Sequence, residues 1–467
     1  MIFKMNKIII LFFVGLLLVS SVSAANWYVD NQATGTGLGT SWGNAALKVS
    51  SLDWTKIKGG DTVYISGGTV SKIYQKDQIK DKTISGGIVS VTKGKDSGHN
   101  GEVIYSATDT AGPLTNVAFR IYNANNIKVT GLTIMWDTYS DAATERFGVV
   151  IVESENIQID NCHIISNGRA NGITVSLSDH ISITNNIIEV LDNDYLNNQD
   201  GIQISNGAGG NTITGNKIIM RGTRAGPHKD IIQTWEVGSD NNYETIIANN
   251  FFSYIAPTAK NAGGVALEDN YGNSYLIYNN IIAVKTVGTN PLTISALNPD
   301  ANSISVRLFN NTFVTNNSFG ILMGDVDTFI MKNNIIWNGN GNQNSLWFHQ
   351  VGLSAIAYKE IDYNHYYKEG NTHIIYDGYD TPGEISWSAW QTLGYDTHGS
   401  NTPIYFKNIW GTNPEDYKLV SSFHPADLNT DGCVSLGEIS TYVGRWLNGQ
   451  ITLATVSGGV SKWLGGC

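Results

Sequence analysis

The chain of 467 residues carries a formal net charge of −11 at pH 7, with 15% charged residues. That acidity argues against nucleic acid as a partner, because phosphate binding needs a cationic face. Fifty glycines, with abundant asparagine and β-branched residues, point to strands and turns instead of helices.

The first element is a leader. Lys4 and Lys7 precede the apolar run IIILFFVGLLLV (Ile8 to Val19), and small residues end at Val22-Ser23-Ala24. A charged start, an apolar core too short to span a bilayer and a small-residue end are the marks of a secretory signal over residues 1–24. The expectation is a secreted or extracellular protein with no membrane span after signal removal, with cell-surface association also open. A retained membrane anchor is the alternative. Export would permit a disulfide. Of Cys162, Cys433 and Cys467, the two near the C-terminus are the natural pair.

A short pattern then recurs: VTGLTI (129–134), IDNCHI (159–164), ITNNII (183–188), ITGNKI (213–218), IANNFF (247–252), IYNNII (277–282), LFNNTF (308–313) and MKNNII (331–336). Each reads as a strand, a polar step and another strand. A second family runs in phase with it: FGVVIV from 147, NGITVS from 171, DGIQIS from 200, DIIQTW from 230, GGVALE from 263, PLTISA from 291 and FGILMG from 319. Constant order over a period of this size predicts a solenoid in which each strand stacks on its copy in the next coil. Asn186, Asn216, Asn250, Asn280, Asn311 and Asn334 fall at one corner, where stacked amides can satisfy backbone groups. Cys162 falls in the same file and reads as a buried corner residue, not a reactive thiol.

On these repeats the sequence resembles the right-handed parallel β-helix proteins of the pectate-lyase-like superfamily. The resemblance implies an all-β, right-handed parallel β-helix over 59–424, with GGDTVYISGG (59–68) as its first coil and an N-terminal cap over 25–58. It also assigns ISWSAWQTLGYDTHGS (385–400) and PEDYKLVSS (414–422) to closing segments.

Residues 425–467 form a different unit. DLNTDGCVSLGE (427–438) matches the calcium-loop pattern, with Asp427, Asn429, Asp431, the Cys433 carbonyl, Ser435 through water and Glu438 as oxygen donors, and Gly432 at the sharp turn. VSLGEISTYVGRWLNG (434–449) aligns with ITLATVSGGVSKWLGG (451–466), so the unit resembles a duplicated dockerin-like module: a small α-helical calcium-binding C-terminal domain. The second copy lacks an acidic loop, so one Ca²⁺ is expected. A cohesin-like or surface partner is what the resemblance implies.

The candidate site lies where NQDGIQIS and HKDIIQTW stack. In-phase pairing places Asp200 over Asp230 and Gln203 over Gln233, about 4.7–4.9 Å apart. With the isoleucines inward, period two turns Gln203, Gln233 and Trp235 outward. By the same parity Asp200 and Asp230 share the inward phase, so they must turn out at the corner, cap backbone amides or bind a cation. Entering loops supply Asp192, Asp194, Arg221, Arg224, His228 and Lys229, and neighbouring coils add Arg169, Asn171 and Glu268. This set suits uronic-acid polymers, whose C5 proton becomes removable once the adjacent carboxylate is neutralised. His228 or Lys229 would be the base or acid, Arg221 or Arg224 the carboxylate clamp, and Asp200 and Asp230 metal ligands or orienters. Gln203, Gln233, Arg169 and Glu268 would bind substrate. Trp235 is a sugar platform or an exposed edge residue.

The reading is thus a polysaccharide lyase or epimerase. Hydrolysis by the paired carboxylates of a glycoside hydrolase is the competing reading, although AGGVAL stands where polygalacturonase-like enzymes have Gly-His-Gly. A noncatalytic glycan-binding or cell-surface protein is the third.

Overall fold

A computed structural model describes residues 24–107, 116–136, 146–167, 170–191, 199–207, 209–221, 229–237, 243–255, 262–268, 273–285, 290–295, 304–316, 318–324, 326–339, 343–349, 353–368, 373–378, 383–420 and 439–441. Each coil contributes three strands, and each strand pairs in parallel with its copy one coil away. The first sheet runs through Glu155–Asp160, Ser182–Thr184, Thr212–Thr214 and Glu244–Ala248. The second has eleven strands, His163–Asn167, Ile187–Leu191 and Lys217–Arg221 among them. The third contains Ala170–Ser176, Ile202–Ser205, Lys229–Trp235 and Ala262–Glu268. First and third sheets share one fourteen-residue strand, Val117–Thr130. The chain is therefore a parallel β-helix. Among the described residues no helix is long and apolar enough to cross a membrane.

The interior is a stack of aliphatic files. Ile159, Ile183, Ile213, Ile247 and Ile277 line the first sheet, and Ile173, Ile202, Ile232, Val265 and Leu292 the third, all essentially buried. Full burial of each such side chain contributes about 1.5–3 kcal/mol.

The corner between first and second sheets explains the repeated Asn-Asn. The first residue of each pair takes a left-handed backbone, φ between 54° and 57° at Asn185, Asn249, Asn279, Asn310 and Asn333. Glycine fills that place at Gly131 and Gly215, since only glycine and asparagine visit the region cheaply. The second residue turns inward and builds the ladder. Asn250 Oδ1 accepts the Asn216 N–H at 2.8 Å and its amide at 3.1 Å, while Asn250 Nδ2 donates to the Ile213 carbonyl at 2.8 Å and to Asn280 Oδ1 at 2.9 Å. The same bonds repeat through Asn280, Asn311 and Asn334 to Asn364, one rung beyond the expected file. Cys162 starts the ladder, its N–H donating to Asn186 Oδ1 at 2.9 Å, and burial pushes its thiol up to about 12. Asp396 ends it: Oδ1 accepts from Asn364 N–H and Nδ2, and Oδ2 from Tyr366 and Trp390.

Both ends are closed. The sheet begins at Asn26–Val29, paired with Thr62–Ile65, so the first rung lies inside the segment expected to be a cap. Val49, Leu52, Trp54 and Ile57 then cover the open core. At the far end the helix Trp387–Thr392 seats Trp390 against Tyr395, with ring centroids 4.6 Å apart. The chain then crosses the outside of the second sheet, where Ile404, Phe406 and Tyr417 cover Phe251, Ala283 and Val314. Lys217 pins this strap through Asn413 at 2.9 Å. The calcium-loop donors Asp427, Asn429, Asp431, Cys433, Ser435 and Glu438, and Cys467, lie outside the described residues.

Candidate functional site

The register of the third sheet is the one the repeats predict: Ile202 pairs with Ile232 and Gln203 with Gln233. Strict alternation nevertheless fails at the corner where the chain enters this sheet. Gly172 and Gly201 occupy an inward slot beside the inward Ile173 and Ile202, since a Cβ on either would meet Ile188 Cγ2 at 2.7 Å or Ile218 Cγ2 at 2.8 Å. Two successive inward positions shift the phase, so the preceding Asn171 turns to the outer face. Its amide donates to Thr174 Oγ1 at 3.2 Å and Gln203 Oε1 at 3.1 Å. Asp200 and Asp230 stand in the same file one and two rungs on. This kink is how they escape the inward parity: they turn out at the corner and cap backbone amides, two of the three outcomes their parity left open.

Two polar files therefore run side by side. In the corner file Asn171 Oδ1 accepts the Asp200 N–H at 2.9 Å, and Asp200 Oδ1 accepts the Asp230 N–H at 2.9 Å. Gly263 follows, and its missing side chain makes room: a Cβ there would lie 2.1 Å from Asp230 Oδ1. In the neighbouring file Gln203 Nε2 donates to Gln233 Oε1 at 3.2 Å, and Gln233 Nε2 donates to Glu268 Oε2 at 2.9 Å. Asn171 joins the two files. The amides all donate in one direction, ending on the carboxylate, which fixes their orientation.

Surrounding chain covers this patch. Asp200 is 0% exposed, Lys229 2%, Gln233 2% and Asp230 4%. Burial holds the Asp230 carboxyl well above the usual carboxylate range, and the charges of Asp200 and Glu268 raise it further, against the Gly263 N–H. Among the described residues Asp230 Oδ2 has no hydrogen-bond partner. Trp235 is 46% exposed at the end of its strand, in register with Glu268. Arg221 is exposed at the end of the second-sheet strand leading toward Lys229. His228, Arg224 and Arg169, with Asp192 and Asp194, lie outside the described residues.

The sequence reading missed Gly263 and Thr174. The signal for the first was the double glycine of AGGVAL, which matters for the space it leaves above Asp230. Among the described residues no group of three or more His, Cys, Asp or Glu side chains is arranged to hold a metal ion.

No family model matches the chain, and no curated protein matches it. Among solved structures it is similar to the pectate lyase Pel9A, at 14% identity and a TM-score of 0.44 over 69% of this chain and 78% of that one. It is also similar to the Dettilon tailspike protein, at 13% identity and a TM-score of 0.44, covering 74% of this chain and 64% of that one. A third is the catalytic domain of an alpha-1,3-glucanase in complex with nigerose, at 14% identity and a TM-score of 0.41, covering 71% and 58%. The chain thus spans less than two thirds of the latter two.

Proposed function

We propose that this chain acts on uronic-acid polysaccharides by removing the proton at C5, as a lyase or an epimerase. One observation carries the reading. The corner file needs only a side-chain oxygen to cap the next N–H, and Asn171 supplies one without any charge. Asp200 and Asp230 do the same task with buried ionisable groups beside Lys229. Asparagine would cap equally well at lower desolvation cost, which supports a chemical role for the acids.

In this reading Asp230, kept protonated, donates a hydrogen bond to the substrate carboxylate and withdraws charge from C5. Lys229 or His228 takes the C5 proton, and Arg221 or Arg224 pairs with the carboxylate. In elimination the C5–H electrons form the C4–C5 double bond, and the C4–O bond breaks with its pair leaving on the glycosidic oxygen, which is then protonated. In epimerisation the proton returns to the opposite face of C5. Gln203 and Gln233 each spend one donor and one acceptor on the ladder and keep one of each for sugar hydroxyls.

Incubation with polygalacturonate and alginate is expected to yield unsaturated product, seen as ultraviolet absorbance, or inversion at C5, seen by NMR. Reducing ends without either would favour hydrolysis, for which a protonated carboxyl one rung from a second carboxylate, about 4.8 Å away, is also a suitable pair. Retention on a polyuronate column without turnover would leave a binding protein.

The C-terminal loop offers only hard oxygen donors, which fits Ca²⁺. We expect calorimetric titration of the metal-free protein to give one Ca²⁺ site, lost in both Asp427→Ala and Glu438→Gln. Two sites, or none, would refute the single-loop assignment.

A further inference from the structure

The two files do not stop at the acids. Continuing along the register from Gln233, the outer file reads Ala266, Thr293, Leu322, Trp347 and Tyr376. The corner file continues through Gly263 and Asn290 to Phe319, each standing three residues before its partner in the outer file, as Asp230 stands before Gln233. Asn290 repeats the Asn171 arrangement, its amide donating to Thr293 Oγ1 at 3.2 Å. The two files therefore run from the buried polar patch past small residues at Gly263 and Ala266, also buried, to half-buried Thr293 and an aromatic end.

There the chemistry changes. The Phe319 and Trp347 ring centroids are 4.2 Å apart, with His349 at 4.3 Å and Tyr376 at 6.0 Å from Trp347. Phe319, Trp347 and Tyr376 are half-buried and His349 is exposed, so the cluster sits at the surface of the sheet and not in its core. The Trp347 indole N–H is buried without an acceptor among the described residues, a cost that phenylalanine at this position would avoid.

We infer that the aromatic end is a distal saccharide subsite, so that the third sheet binds an extended polyuronate from the acid patch to Phe319 and Trp347. Four rungs separate Gln233 from Trp347, about 19 Å at about 4.8 Å per rung, which only an oligosaccharide of several units bridges. The apolar faces of pyranose rings stack on aromatic rings, whereas the carboxylates and hydroxyls of the same chain face the polar end. This inference rests on the polyuronate reading and adds to it a dependence on chain length.

The test uses the full-length protein and size-fractionated oligogalacturonates and oligomers of alginate, from dimers to decamers, with affinity from calorimetry and KM from turnover. Affinity is expected to rise with length until the distal end is reached. Trp347→Ala should remove about tenfold of that gain while leaving dimer binding unchanged, and Trp347→Phe should keep most of it. Leu322→Glu, a substitution at the half-buried outer position one rung before Trp347, tests the path through charge: it should weaken decamers selectively by charge repulsion. Length dependence that survives both Trp347→Ala and Leu322→Glu overturns the distal subsite and leaves the polyuronate reading standing. No binding or turnover of any oligomer by the unaltered protein overturns both.

Discussion

Asp230→Asn is expected to slow turnover on polyuronate and, at the same time, to raise the melting temperature at pH 8. Exchanging the acidic O–H aimed at the substrate carboxylate for a weaker amide donor should cost about 10²–10³-fold in rate. The stability gain follows from the opposite side of the same fact. Burial, then Asp200 and Glu268, raise the Asp230 carboxyl above its ordinary value of 3.8 in the folded chain. Between 3.8 and that raised value the folded state binds more protons than the unfolded state, so stability falls as pH rises through the window. Asparagine has no proton to lose, and its amide places a donor where Asp200 and Glu268 make the potential negative. Relief of a buried group without a partner is worth about 1–3 kcal/mol, or roughly 1–3 °C in a chain of this size. At pH 4, where aspartate is already protonated in the fold, the gain should vanish. Melting curves of both proteins at the two pH values check this, and a variant that is less stable at pH 8 would mean that Asp230 is a paired anion there.

Asn250→Ala is expected to cost about 3–6 kcal/mol, because it leaves the Asn216 N–H and the Ile213 carbonyl without their partners inside the stack and the Asn216 amide with only its bond to the Ile183 carbonyl. Asn249→Ala, one residue away and equally asparagine, should cost only about 1–2 kcal/mol for placing alanine at a φ of 56°, and Asn249→Gly should recover it. Thermal unfolding and limited proteolysis of the three variants provide the comparison. Equal losses at 249 and 250 would contradict the ladder. The contrast matters for reading the sequence, since the Asn-Asn pair is one motif on the page and two different physical roles in the coil.

The ladder and the site corner use one device for two ends. In the asparagine ladder every amide gives and receives, and the file is neutral until Asp396, where tyrosine and tryptophan donors satisfy the second oxygen. In the corner file Asn171 hands over to Asp200 and Asp230, and the second oxygen of Asp230 finds no such donor among the described residues.

Much of this was legible from residues alone. Stacked repeats fix a solenoid because a strand of this length can bury its aliphatic face only against its own copy in the next coil, and the in-phase families fix the register that puts Gln203 on Gln233. The corner asparagines were legible for the same reason, as was the burial of Cys162. That Asp200 and Asp230 turn out at the corner was one of the outcomes left open, but what turns them was not legible. Alternation counts residues as if the strand were straight, and the tight entry corner, where Gly172 and Gly201 face Ile188 and Ile218, adds a second inward position that reverses the phase. Nor could one coil's sequence reveal that Gly263 clears space for Asp230, that Asn171 joins two files, or that Phe319 and Trp347 continue them. Those relations hold between residues about thirty positions apart and exist only once the coils are stacked, because the physical neighbour of a side chain in a β-helix is the next rung.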